Sequence, residues 1–440
     1  MFFKNNYNLF KHFSFLSFSL IIIKLFAIFK DSLIASNFGS SRELDLLFLA
    51  MLIPAFFQNL ISSGLSVGFI PFYQEKFATY GKKSSDSFFI IFLLLAFIIV
   101  IILSFFIFNT KILALKYLEI TSEFDIAIFL SIFNYSIIIF ILGTLSKIIQ
   151  QFLFLKKQFF ISSATESFIP LSVILFLLFN FEKITIYNLI YGFLTGYLLQ
   201  FFILLYLLFK EILFRIEFYY KDIFILKNIL MQSLYIFIGG SLSYLNFSVD
   251  SFMCSNLSPG SLSILNYSNK IPALIISFFT MSIGNIFVSY YSDINSKNTN
   301  IIDYKKFLFV SIISGLIIFC VFFMLIPYIV SLLYYRGNFT SYDLNITIKT
   351  VKAYSLQLIV FTNTVIGIKI LNIQKKSFLL GIIGVLSFIL NILFNILLIK
   401  YNTVGLALST SIVYIFSCIV LNIFVIKGIK SAKNQKKVLE

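Results

Sequence analysis

The chain is built of long apolar runs separated by short polar stretches. A helix needs about 20 predominantly apolar residues to cross the hydrocarbon core of a bilayer, and twelve runs reach that length. The first six centre on Phe13–Ile34, Leu46–Phe72, Phe88–Phe108, Ile126–Ile148, Phe159–Phe179 and Tyr187–Phe209. The second six centre on Ile229–Leu257, Pro272–Tyr291, Phe307–Leu333, Ala353–Ile373, Phe378–Ile399 and Val404–Ile426. Polar residues interrupt the first, second and seventh runs. The first is too long for a cleavable leader and contains Lys24, so it is expected to be a span. The pattern predicts an all-α integral membrane protein of about twelve transmembrane helices.

The runs repeat. Asp31-Ser32 followed by Ser36-Asn37 recurs as Asp250-Ser251 followed by Ser255-Asn256, 219 residues later. Ile53-Pro54-Ala55 recurs as Ile271-Pro272-Ala273, and Ser66-Val67-Gly68-Phe69-Ile70 as Ser282-Ile283-Gly284-Asn285-Ile286, at offsets of 218 and 216. Six spans separate the copies, which preserves direction. The expectation is two parallel-repeat six-helix lobes around a central cavity, an architecture of transporters. The lobes are expected at 1–209 and 229–427. Residues 210–228, where charges and apolar residues mix at helical spacing, are expected to form a cytoplasmic interfacial helix between them. Residues 428–440 read as a basic cytoplasmic tail.

Composition agrees and adds orientation. Of 440 residues, 60% are hydrophobic and 12% charged, against about 25% charged in soluble domains. That excludes a water-soluble fold. The net charge is +16. With the N-terminus placed in the cytoplasm, cytoplasmic segments hold 22 Lys and Arg against 9 on the other side. This bias puts both termini inside and makes the positive charge topological, facing anionic headgroups. Nucleic acid is therefore not an expected partner. The three cysteines, Cys254, Cys320 and Cys418, lie in apolar runs without metal or disulfide spacing. His12 is the lone histidine, and Gly81-Lys82-Lys83-Ser84 lacks the upstream glycine of an ATP cradle. No Ser/His/Asp or Cys/His set can be assembled, and the chain is not expected to be an enzyme. Glu43 and Asp45 form the acidic pair that a metal-dependent membrane glycosyltransferase would need. No second cluster accompanies it, and a solvated or capping role for Asp45 is expected.

Charges inside spans are the functional clue, because each costs about 2.5–3.5 kcal/mol on insertion scales. Lys24 and Asp31 lie seven apart on one helix face, with Lys30 adjacent. Gln58 and Asn59 interrupt the second span, Asp250 lies in the seventh, and Lys270 just precedes the eighth. Glu166 and Lys369 lie in the fifth and tenth. Lys24, Lys30, Asp31, Gln58, Asn59, Asp250 and Lys270 are the candidate substrate-binding residues. Asp45, Glu166, Arg336 and Lys369 are candidates for coupling or gating. Cations within low-dielectric walls attract a diphosphate strongly. Asp31 and Asp250 either keep the lysines charged or bind a coupling cation, H+ or Na+. No other cofactor and no metal site is expected. A Lys24–Asp31 ion pair that merely lets the helix insert is the simpler alternative. A small-cation antiporter would favour carboxylates and aromatics over lysines.

Particular strings then point to a family. Phe29-Lys30-Asp31-Ser32-Leu33-Ile34-Ala35-Ser36-Asn37-Phe38-Gly39, Glu43-Leu44-Asp45-Leu46-Leu47-Phe48-Leu49-Ala50, Ile53-Pro54 and Ser63-Gly64-Leu65-Ser66-Val67-Gly68-Phe69-Ile70-Pro71 resemble the N-terminal signature of the MviN/MurJ lipid II flippases. Arg336-Gly337-Asn338-Phe339-Thr340 and Asp343 resemble its external Arg-Gly-x-Phe-Thr motif. The resemblance implies the multidrug/oligosaccharidyl-lipid/polysaccharide exporter fold with alternating access. It implies a bacterial inner-membrane location and a polyprenyl-diphosphate-linked glycan precursor as cargo, moved by a monomer. The family's cavity arginines fall at Lys24, Lys30, Gln58 and Lys270, three of which keep a positive charge. A flippase for O-antigen or capsule oligosaccharide-lipids is the nearest alternative.

Overall fold

The computed structural model describes residues 21–117, 120, 122–179, 184–212, 225–231, 242–277, 301–373 and 376–439. These residues form helices and connecting turns, with no strand among them. The chain divides into two compact units, Met1–Tyr244 and Leu245–Glu440.

In the first unit, α1 covers 21–38, followed by α2 (Arg42–Gly68), α3 (Ile70–Asn109), α4 (Lys111–Tyr117) and α5 (Glu123–Leu155). α6 (Phe159–Ala164) and α7 (Phe168–Phe179) form one run interrupted by the 3-10 turn Thr165–Ser167, and α8 (Ile186–Glu211) and α9 (225–231) complete the series. The second unit contains α10 (Leu242–Cys254), most of which lies beyond the division, then α11 (261–277) and α12 (Ile301–Tyr334). It continues with α13 (Ser341–Ser355), α14 (Phe361–Ile373), α15 (Ser377–Leu398) and α16 (Asn402–Leu439).

Six of the helical stretches are long and apolar enough to cross a membrane, or seven if the pair Ser341–Ile359 and Phe361–Leu371, bent by 46°, is one span. Two of them, Arg42–Lys116 and Phe378–Ile429, each run through two of the apolar runs marked in the sequence. The number twelve does not follow from these stretches alone. Of the expected spans, the first, seventh and eighth lie partly outside the described residues, as does most of the expected linker helix 210–228.

The repeat extends beyond the short motifs that announce it. α2 and α11 begin at 42 and 261, an offset of 219. α5 and α13 begin at Glu123 and Ser341, 218 apart, and α6 and α15 at Phe159 and Ser377, also 218 apart. α8 and α16 begin at Ile186 and Asn402, 216 apart. Matching helix starts at nearly constant spacing are what a duplicated six-helix unit produces.

Local chemistry sets the helix ends. The Ser41 hydroxyl accepts from Leu44 N at 3.3 Å and caps α2. Thr340 and Asp343 form a reciprocal box at the start of α13, with Thr340 N to Asp343 Oδ2 at 2.9 Å and Asp343 N to Thr340 Oγ1 at 3.2 Å. α3 breaks at Gly81, whose φ of 77° is open to glycine without strain. The break lets the chain turn back, and Phe69, Phe89 and Phe92 close the junction with ring centroids 5.1 to 6.4 Å apart. Phe152 of α5 stacks on Phe89 at 3.9 Å. Below them, Lys156 Nζ bridges to the fully buried Asp86 at 2.8 Å, and Tyr73 Oη donates to the same carboxylate oxygen at 2.8 Å. Removing one partner of such a pair costs about 3–5 kcal/mol.

α7 and α8 approach through small residues. A Cβ on Gly196 would lie 2.6 Å from Ile169 Cα, and one on Gly192 would lie 2.8 Å from Val173 Cα. The glycines are four apart on one helix, as are the residues they face on the other. This is the small-xxx-small contact that membrane helices use in place of a hydrophobic drive. In the second unit Ile366, Ile370, Leu371, Leu421 and Val425 pack α14 against α16.

Candidate functional site

The polar groups of unit 1 meet where α1, α2, α5, α8 and the 3-10 turn face one another. On α1, Lys30 Nζ lies 3.2 Å from Asp31 Oδ1 and 5.2 Å from the ring centroid of Phe193 on α8. Their side chains are 14% and 10% exposed, so this is a nearly enclosed ion pair. One turn along α8, Tyr197 is hydrogen-bonded by Gln58 of α2. Gln58 is buried and occupies the space over Gly143 of α5, where a Cβ would come within 2.2 Å of Gln58 Nε2. The next residue of α2, Asn59, accepts from Lys147 Nζ of α5 at 3.0 Å. One turn further, Gln150 Nε2 donates to Glu166 Oε1 at 3.0 Å and to the Ser162 carbonyl at 3.2 Å. Gly143, Lys147 and Gln150 share one face of α5 by their i, i+4, i+7 spacing. The 3-10 turn at Thr165–Ser167 is what presents Glu166 to that face.

Unit 2 has a different cluster around Asp250, which has no exposed surface. Its Oδ1 accepts from Asn395 Nδ2 at 2.6 Å and its Oδ2 from Thr410 Oγ1 at 2.5 Å. Asn391 adjoins Asn395 at 3.3 Å, and Asn395 Oδ1 is buried without a hydrogen-bond partner. Asp31 and Asp250 are repeat-related, yet the first pairs with an ammonium and the second with neutral donors.

The sequence-derived candidates therefore separate. Lys30, Asp31, Gln58, Asn59 and Glu166 fall in one polar region of unit 1, and Asp250 anchors a region in unit 2. The ion pair of Asp31 is with Lys30, rather than with Lys24 as in the simpler alternative, since adjacent side chains at a partly enclosed position suffice for ion-pair contact. Lys24 sits partly buried on the same helix. Lys270 lies inside α11 and not before it, because that helix starts eleven residues earlier than the apolar run. Lys369 is partly buried on α14. Asp45 is buried rather than solvated, and Ser41 is the cap. Asp45 sits in the first turn of α2, where the helix dipole favours a carboxylate. Arg336 is exposed and donates from Nη2 to the Leu332 carbonyl at 2.5 Å. Around it, Gly337 supplies a turn at φ 55°, Phe339 packs on Tyr267 and Tyr334, and Thr340 caps α13. The motif thus builds a turn between two helices.

Lys147 escaped the sequence reading. It stands at the edge of the run Ile126–Ile148, but α5 continues to Leu155. The signal was present: Gln150 and Gln151 follow it at helical spacing before the next cations, Lys156 and Lys157.

Comparison with known proteins follows the same lines. The family model described as lipid II flippase MurJ matches residues 34–439. A lipid II flippase MurJ from Thermosipho africanus is 31% identical, covering 90% of this chain and 82% of the relative. A probable lipid II flippase MurJ from Aquifex aeolicus is 28% identical, covering 78% of this chain and 68% of the relative. Among solved structures, a lipid II flippase MurJ in an inward closed conformation superposes with a TM-score of 0.75 at 25% identity, over 94% of this chain and 88% of that one. An inward-facing multidrug resistance MATE family transporter matches at TM-score 0.71 and 12% identity, over 94% and 96% of the two chains; this likeness is one of fold.

Proposed function

This chain belongs to the lipid II flippase MurJ family, and from that premise we propose that it moves lipid II, a polyprenyl-diphosphate-linked glycan precursor, across the bacterial inner membrane by alternating access. The polyprenyl tail stays in lipid while the polar interior of the protein accommodates the headgroup. The observation that carries the reading is the run of cationic and amide side chains in unit 1, from Lys30 through Gln58 and Asn59 to Lys147. Intramembrane ionisable groups are expensive and mark a substrate path. An ammonium offers three donors and, poorly screened by water, is a strong partner for a diphosphate. Lys24 is proposed to extend this set from α1, and Lys270 is proposed as a cationic residue of unit 2.

The family is one of transporters, and no catalytic step enters the proposal. The protein is a multi-pass inner-membrane protein. The charge bias of its loops supports cytoplasmic termini. Asp250 is the proposed seat of a coupling cation. Its buried carboxylate is met by the neutral donors Asn395 and Thr410, which leaves its charge to a proton or a small hard cation. Moving one elementary charge through 100 mV is worth about 2.3 kcal/mol, so membrane potential is a further source of drive.

The direct test is complementation. Expression during depletion of a resident lipid II flippase is expected to restore growth. Rescue of an O-antigen flippase deletion and not of the depletion strain would move the cargo to another lipid-linked oligosaccharide.

A further inference from the structure

We propose that Lys147 is a second anion-binding station of unit 1, which receives the diphosphate of a lipid-linked substrate in the C-terminal half of α5 and passes it towards Lys30. The proposal rests on the flippase reading and adds to it a residue and a path.

Lys147 lies eight residues before the end of α5, about 12 Å along the axis. It is therefore well inside the helix, whereas Lys156 sits at the α5 terminus. Three lysines of the unit, Lys147, Lys156 and Lys30, differ in how far their charge is already answered. Lys156 is held by Asp86 at 2.8 Å, and Lys30 by Asp31 at 3.2 Å and by the Phe193 ring. Lys147 is hydrogen-bonded to a neutral amide, Asn59 Oδ1, at 3.0 Å. One of its three N–H groups is used, leaving two to offer. The carboxylate of Glu166 is near enough to act on Lys147 electrostatically, but Gln150 holds it at 3.0 Å. Lys147, Asn59, Glu166 and Tyr197 are each only partly buried, so an incoming group can reach them.

The surrounding groups extend the site. Gly143, one turn before Lys147, leaves room for the Gln58 amide. Gln58 lies on Tyr197, and Lys30 lies on Phe193. Those two aromatic residues are four apart on α8, roughly 6 Å between their Cβ atoms. Lys147, the Gln58–Tyr197 pair and Lys30 are therefore successive rungs along one side of the unit. A diphosphate carries enough oxygens to touch one rung before leaving another.

The experiment uses the full chain in detergent and measures equilibrium binding of farnesyl diphosphate, with farnesol as the tail-only control. Lys147→Gln retains an N–H for Asn59 but loses the charge. It is expected to weaken farnesyl diphosphate binding about tenfold, the size of one charge-assisted hydrogen bond, with farnesol binding and melting temperature unchanged. Lys147→Arg is expected to restore binding. Unchanged diphosphate binding in Lys147→Gln, or no recovery in Lys147→Arg, would overturn the station while leaving the flippase reading in place. Failure of the unaltered chain to prefer farnesyl diphosphate over farnesol would overturn both.

Discussion

Two aspartates at equivalent places in a duplicated unit have diverged in what they touch, and their partners suggest divided roles. Asp31 answers a lysine at 3.2 Å, whereas Asp250 gathers Asn395 and Thr410. Asp250→Ala removes the carboxylate that the buried Asn395 and the half-buried Thr410 share, and is expected to lower stability by about 1–3 kcal/mol, read as a fall in melting temperature. Asp250→Asn keeps an acceptor oxygen and is expected to fold normally, but to lose the dependence of transport on the cation gradient. Gradient-dependent transport at the full rate in Asp250→Asn would remove Asp250 as the coupling site. At this scale the sequence was informative wherever a charge interrupted an apolar run, as at Lys30, Asp31 and Asp250. It misled where a charge ended one. Lys147 marks the edge of a hydropathy window but not of a helix, because backbone hydrogen bonds carry α5 on to Leu155 with polar side chains facing the interior.

Among the elements, legibility followed how apolar each helix is over its whole length. The run Phe159–Phe179 has the bounds of the structural span, and Tyr187–Phe209 lies within Ile186–Glu211. The tenth run, Ala353–Ile373, captured only the apolar end of a longer bent element that begins at Ser341. Ser341–Lys352 is polar enough to read as a loop, and only the Thr340–Asp343 box betrays a helix start. Thr340→Ala is expected to cost about 1 kcal/mol through loss of that cap, measured as a lower melting temperature. Substitution at the glycine contact between α7 and α8 is expected to be harsher. A side chain at Gly196 meets the backbone of Ile169 at 2.6 Å, which a rotamer change cannot relieve. Gly196→Leu should therefore reduce folded protein in the membrane severalfold, read by fluorescence-detected size exclusion; normal abundance would contradict the close packing.

For the molecule as a whole, duplication explains why motifs a few residues long were enough to divide the sequence. Helix starts at Glu123 and Ser341, and at Phe159 and Ser377, keep the same spacing of 218, though few side chains are shared. The backbone plan outlasts side-chain identity because apolar residues are interchangeable against lipid. From the loop charge bias we expect the basic C-terminal segment in the cytoplasm and the Arg336–Asn338 turn on the opposite side. Single cysteines placed at Lys437 and Asn338, in a chain lacking its native three, should label with an impermeant maleimide from opposite faces of the membrane. Labelling of Asn338Cys from the cytoplasmic face would reverse the topology.

The most direct measurement is transport of fluorescent lipid II in proteoliposomes, comparing the unaltered chain with Lys30→Gln at matched folded protein content. The account predicts protein-dependent movement of lipid II in the first and at least about tenfold slower movement in the second. Equal rates in the two, or no movement of lipid II by an intact, folded chain, would contradict it.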